Sequence, residues 1–172
     1  GDLILATTGA GARFELDLPA ASPDAPSSQA PASEAAAPAT CPLRLLVVDD
    51  EAPVREMLGD LLASEGHEAT IVDGAEPALV AAAAGRYHAA LVDLSLPGRS
   101  GPDLARDLRS EDPALAVVVI TGWGRERELA ELDPAVVDLT ATKPMDLPQL
   151  RRLLHHAARL TAGRRGDPPC EE

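Results

Sequence analysis

Three acids, a hydroxyl and an amine stand at matched places in this chain. Asp49 and Asp50 end the apolar run 43–48, and Asp93 ends a second run at 89–92. Thr121 closes a third run, 116–120, and Lys143 follows a fourth stretch, 136–142, just before Pro144. Carboxylates held together repel: at an effective dielectric near 20, a pair about 4 Å apart costs about 4 kcal/mol. Such a group takes up a proton or a cation. An oxygen-lined site with few ligands and room for water suits Mg²⁺. A carboxylate beside Mg²⁺ can act as a nucleophile and form an aspartyl phosphate. That chemistry also needs a fixed positive charge and a hydroxyl directed at phosphoryl oxygens, roles open to Lys143 and Thr121.

These residues meet only if the runs are neighbouring strands. Each run is short and apolar, as expected of a strand buried on both faces. A further strand is expected at 69–72. Between the strands lie helical patterns. The first follows Pro53, carries Val54, Met57, Leu58, Leu61 and Leu62 on one face, and stops at Gly66. The second runs from 75 to 85, and the third carries Leu104, Ala105 and Leu108. A short fourth helix is expected at 125–132. The fifth starts from Asp146 as N-cap and carries Leu150, Leu153, Leu154 and Ala157. Five such βα units imply a doubly wound parallel sheet. The common strand order 2-1-3-4-5 sets the ends of strands one and three side by side at the switch point. Asp49, Asp50 and Asp93 would then share one crevice with Thr121 and Lys143.

Residues 43–160 resemble the receiver domain of two-component response regulators, a flavodoxin-like fold. Val47-Val48-Asp49-Asp50 resembles the family's acidic pair and Asp93 its phosphoacceptor. Leu96-Pro97 and Gly101 match the loop that follows, Thr121-Gly122 the switch hydroxyl and the small residue after it, and Lys143-Pro144 the Lys-Pro pair. The resemblance implies that Asp50 and Asp93 bind Mg²⁺ directly, Asp49 through water, and Ser95 through its backbone carbonyl. It implies that Asp93 takes a phosphoryl group from a phosphohistidine, and that Thr121 and Lys143 then bind its oxygens. One departure stands out: Thr140 occupies the place where the family usually has an aromatic residue.

Upstream, Leu3–Thr7 and the alternating Phe14, Leu16 and Leu18 flank a glycine turn, a hairpin pattern. Residues 1–19 resemble the last hairpin of the ATP-binding domain of sensor histidine kinases. The ATP-holding boxes of that family and any Gly-x-x-x-x-Gly-Lys loop are absent, so no ATP binding by this chain is expected. Residues 20–42 are nearly all Ala, Pro and Ser and read as a stiffened linker. Residues 161–172 read as a frayed polar tail.

Together these resemblances imply the C-terminal receiver of a hybrid sensor histidine kinase. It would catalyse only its own aspartyl phosphorylation and dephosphorylation. Its donor would be a histidine kinase domain, and a histidine phosphotransfer protein could be its recipient. Alternatives are a free-standing response regulator and a receiver-like binding scaffold. An Asp-nucleophile phosphatase would want a second acid where Ser95 stands.

Composition narrows the field. The hydrophobic fraction is 45% but aromatics are 2%, so Ala, Val and Leu must build the core. The formal charge of −13 argues against a nucleic-acid surface. There is no signal peptide pattern or apolar run of membrane-spanning length, and a cytoplasmic location is expected. Cys41 and Cys170 lie in Pro-containing segments without metal-ligand spacing and read as free thiols. Trp123 reads as a surface ring near the crevice mouth. His155 and His156 face different directions on the last helix, and Arg151, Arg152, Arg159, Arg164 and Arg165 read as a solvated basic end.

Overall fold

The computed structural model describes residues 2–8, 11–17, 41–122, 128–129 and 132–168. The chain divides into two units, residues 1–36 and 37–172. In the first, β1 (Asp2–Thr8) pairs antiparallel with β2 (Gly11–Asp17), with Asp2 opposite Asp17 and Thr8 opposite Gly11. Most of the expected linker, residues 20–40, lies outside the described residues.

The second unit is a doubly wound α/β domain. Its strands are β3 (Arg44–Val48), β4 (Glu68–Val72), β5 (Ala89–Asp93), β6 (Ala116–Thr121) and β7 (Leu139–Thr142). They pair in parallel in the order β4-β3-β5-β6-β7. Counted within this unit, that is the expected 2-1-3-4-5. The helices are α1 (Ala52–Ser64), α2 (Ala75–Ala84), α3 (Gly101–Glu111) and α4 (Leu147–Arg165). The short helix expected at 125–132 falls mainly on residues outside those described, as does Trp123.

The central strands are buried on both faces, and their alternate residues divide between two cores. Leu46, Val48, Val92, Val117 and Val119 pack with Leu104 and Leu108 of α3 and Ala78 of α2. Leu45, Val47, Leu91, Val118 and Ile120 pack with Leu58 and Leu62 of α1 and Leu150 and Leu154 of α4. Each fully buried Leu or Val contributes about 1.5–3 kcal/mol, so aliphatic side chains suffice without aromatics. Tyr87 is also buried, and its hydroxyl donates to Thr70 Oγ1 at 3.0 Å. Helix starts follow local chemistry. The Ser100 side chain caps α3, and Asp146 and Gln149 form a reciprocal capping box on α4. Gly66 and Gly166 close α1 and α4 with φ of 81° and 74°, where a β-carbon would be strained.

Three expectations need correction. Helix α4 continues through residues expected to fray: Thr161 is buried, donating to the His88 carbonyl at 2.5 Å and accepting the Ala116 amide at 2.9 Å. A buried hydroxyl with both bonds made holds the last turns in place. The basic end is solvated only in part: Arg152 and Arg159 are exposed, but Arg151 binds Glu65, Arg164 binds Asp138, and Arg165 binds Asp112. The last strand starts at Leu139, later than expected, because residues 134–136 form a turn.

Asp138, just before β7, ties the two helical layers to the sheet edge. Its carboxylate is 5% exposed and accepts from Arg109 of α3 at 2.5 Å, from Arg164 of α4 at 3.1 Å and from the Val117 amide at 2.8 Å. Burial alone would push its pKa up. The Arg164 and Val117 hydrogen bonds and the charges of Arg109 and Arg164 outweigh that and hold it below 3.8. A depressed carboxyl contributes stability above its ordinary value and loses it as pH falls through the folded one. Asp138→Ala leaves two guanidinium groups without their acceptor, and should cost about 3–5 kcal/mol by urea denaturation. An unchanged midpoint would show that water replaces the carboxylate at no cost.

Candidate functional site

The crevice forms because parallel strands present all their carboxyl ends at one edge of the sheet. Asp49 follows β3, Asp93 ends the adjacent β5, Thr121 ends β6, and Lys143 follows β7. Both Asp49 and Asp93 are buried. Lys143 reaches past β6 to join them, its Nζ 2.5 Å from Asp49 Oδ2 and 2.6 Å from Asp93 Oδ1. Its backbone amide donates to the Thr121 carbonyl at 2.7 Å, which fixes where its side chain departs. The Lys143-Pro144 peptide is cis.

The remaining oxygens are also held. Asp93 Oδ2 accepts the Ser95 amide at 2.7 Å, and Asp49 Oδ1 accepts the Glu51 amide at 3.0 Å. Arg55 of α1 donates to the Asp49 backbone carbonyl at 2.8 Å. Burial opposes the charge on Lys143, but the hydrogen bonds and charges of Asp49 and Asp93 more than offset it, and its pKa rises above 10.5. Lys143 therefore stays cationic at neutral pH. Glu51 lies 3.9 Å from the same ammonium. With Asp50, the carboxylates at this edge outnumber Lys143 and Arg55, and the crevice keeps a surplus of negative charge.

The structure brings together Asp49, Asp93 and Lys143, with Thr121 beside them in the sheet. The Thr121 hydroxyl is buried and donates to the Gly122 carbonyl at 3.3 Å. Asp50 stands apart, exposed and unpaired among the described residues. The described residues contain no group of three or more Asp, Glu, His or Cys placed to enclose a metal ion. Of the three carboxylates expected together, Asp49 and Asp93 are bridged through Lys143, and Asp50 has no partner among the described residues. Glu51 and Arg55 were not foreseen; Glu51 extends the acidic run, but nothing in the sequence marks an arginine that binds a backbone carbonyl.

Met57 was expected on the core face of α1 but is 52% exposed. With Val54, Leu61, Pro144 and Met145 it lines a hollow of about 360 Å³ that also touches Lys143. Thr140 is exposed on β7 and lines a second hollow, about 380 Å³, with Met145, Arg152 and His156. An aromatic ring there would occupy space that threonine leaves open.

Gly101 sets the loop after Asp93. Its amide donates to the Leu94 carbonyl at 3.1 Å, and a β-carbon built on it would overlap the Asp93 backbone carbonyl oxygen.

Fold and site together define a doubly wound α/β domain with a lysine-bridged acidic crevice at its carboxyl edge. A family model of the response regulator receiver domain matches residues 45–155, and the chain belongs to that family. The two-component response regulator PhoP of Pseudomonas aeruginosa is 35% identical over 121 residues, 70% of this chain and 54% of that protein. The probable transcriptional regulatory protein TcrX of Mycobacterium tuberculosis is 33% identical over 109 residues, 63% of this chain and 47% of that protein. The chain thus spans about half the length of these relatives. Among solved structures, NtrX from Brucella abortus is similar with a TM-score of 0.69 and 26% identity, over 73% of this chain and 29% of that one. TrrA from Thermotoga maritima, solved with Mg²⁺-BeF, has a TM-score of 0.61 and 28% identity, over 67% and 98%. Among the described residues no helix is long and apolar enough to cross a membrane.

The close approach at Gly101 makes a direct test of the loop. Gly101→Ala must displace backbone, not a flexible side chain, and should cost about 1–3 kcal/mol in urea denaturation. A neutral result would mean that the start of α3 can shift away from Asp93 freely.

Proposed function

We propose that this domain is a phosphoacceptor in a two-component phosphorelay, with Asp93 taking the phosphoryl group from a phosphohistidine. The observation that carries the reading is the single Lys143 ammonium shared by Asp93 and Asp49 at the carboxyl edge of the sheet. A carboxylate oxygen of Asp93 attacks phosphorus. The N–P bond breaks, its electron pair returns to the donor imidazole, and an acyl phosphate forms on Asp93. The Lys143 ammonium lies against an oxygen of Asp93 and would bind an incoming phosphoryl oxygen. The Thr121 hydroxyl would turn from the Gly122 carbonyl to the phosphoryl group and so report phosphorylation at the end of β6. The apolar hollow beside Lys143 would receive the donor's surface.

The crevice fits Mg²⁺ chemically: its donors are hard oxygens, its charge is negative in surplus, and Asp50, next to Asp49 in the chain, is exposed with no partner among the described residues. Asp50, Asp93 and the Ser95 backbone carbonyl would hold the ion, with Asp49 acting through water. When bound, Mg²⁺ would supply positive charge to the phosphoryl oxygens during transfer.

For the whole protein we favour the C-terminal receiver of a hybrid sensor histidine kinase. The β1–β2 hairpin and the Ala/Pro/Ser stretch at 20–42 support this, as last hairpin of a kinase ATP-binding domain and tether. The donor would then be a histidine kinase domain in the same chain, and a histidine phosphotransfer protein its recipient. The likeness to PhoP and TcrX, named as regulators, favours a second reading, the receiver of a response regulator. Kinase boxes upstream in the gene would decide for the first. The formal charge of −13 supports action on protein partners, not on nucleic acid directly.

Intact mass after incubation with Mg²⁺ and a small acyl phosphate tests the chemistry. A phosphoryl-sized gain is expected, and its loss in Asp93→Asn and on removing Mg²⁺. No gain from the folded protein, with either a small donor or a phosphorylated kinase, would leave the scaffold reading in its place.

A further inference from the structure

The first amides of a parallel sheet have no partner on the strand beside them and must find acceptors elsewhere. Here side chains supply them. The Ala116 amide donates to Thr161 Oγ1 at 2.9 Å and the Val117 amide to Asp138 Oδ2 at 2.8 Å. At the leading end of β3 both acceptors are imidazoles. The Leu43 amide donates to His67 Nδ1 at 3.3 Å, and the Arg44 amide donates to His88 Nδ1 at 2.8 Å.

The two rings grip the strand from opposite sides. His67 immediately precedes β4 and His88 immediately precedes β5, the two neighbours of β3. Backbone bonds complete each grip: the Glu68 amide donates to the Leu43 carbonyl at 2.8 Å, and the His88 amide to the Arg44 carbonyl at 2.7 Å. We propose that His67 and His88 form a pH-sensitive clasp on the leading end of β3, closed while both rings are neutral and released when they take up protons.

The chemistry is a reversal of polarity. A ring nitrogen that accepts an N–H holds no proton; once protonated it becomes a donor facing a donor. The surroundings set the range. Burial holds His67 below its ordinary 6.5, opposed by Glu65, which is itself bound to Arg151 of α4. Burial and then the charge of Arg165 hold His88 below 6.5; the backbone contact with Arg44 opposes them, the Arg44 charge acts with them, and Asp167 opposes. Arg165 is in turn paired with Asp112 at 2.5 Å. A base with a depressed folded pKa contributes stability above its ordinary value and loses it as pH falls below that value toward the folded one. The caps on β6 behave differently. A threonine hydroxyl does not titrate in this range, and the Asp138 carboxyl is held below 3.8. Mild acid therefore acts on β3 first, and the other end of β3 leads into Asp49 and Asp50.

Amide hydrogen exchange of the full chain, followed residue by residue by NMR, tests the clasp. Between about pH 7.5 and about pH 5.5, after correction for intrinsic exchange, protection at Leu43 and Arg44 should fall at least about tenfold relative to Ala116 and Val117. The His67→Gln/His88→Gln double variant offers an amide oxygen that accepts but does not titrate, and should keep its protection. An equal change at all four amides, no change in the wild type, or the same fall in the double variant would overturn the clasp. The wild-type spectra also follow both rings, so the clasp stands without the variant. Opening that tracks ring protonation supports it, and opening while both rings stay neutral overturns it.

Discussion

One ammonium shared by two buried carboxylates is the interaction on which this domain turns. Asp49 and Asp93 stand at the ends of adjacent strands, and their charges would repel without Lys143 between them. The bridge is charge-assisted at both contacts, which makes it strong where water is largely excluded. It still leaves the crevice with more negative charge than positive. That surplus stores an attraction for cations at this edge of the sheet.

The bridge constrains the sheet. A lysine just past the edge strand β7 can reach the ends of β3 and β5 only if the strands between stay in register. Aliphatic strands buried on both faces give that rigidity, because shifting any strand along its neighbour would break two cores at once. The opposite edge of the sheet is secured by other means. There, the amides that begin β3 and β6 end on His67, His88, Thr161 and Asp138. Asp138 further draws arginines from both helical layers to the same point. The two edges thus divide the labour. At one, side chains take up the leading amides, and the other holds a charge imbalance.

The departures from expectation share a cause. Met57 fits an apolar helical face, yet on α1 it is left exposed beside the crevice, because a helix packed on a sheet buries only a narrow stripe. The run from Thr161 to Arg165 looks polar and frayed along the chain. In the fold its hydroxyl and guanidinium groups find partners 26 to 78 residues away in sequence, so the helix persists. Thr140 carries the reverse lesson. Its departure from the family pattern was visible in the sequence, and the structure adds the hollow it leaves.

The sequence by itself determined the alternation of strand and helix, the order of the strands in the sheet and the placement of Asp49, Asp93, Thr121 and Lys143 at one edge of it. Periodicity and the placement of polar residues after apolar runs are local properties, and parallel topology converts them directly into position. Tertiary structure alone decided how those residues divide: two carboxylates bound to one lysine, Asp50 without a partner among the described residues, and Glu51 and Arg55 added around them. It also decided that two histidines close the start of the central strand. Which acceptor a given amide or ammonium reaches depends on distances of a few tenths of an ångström between segments far apart in the chain, and no local pattern encodes them.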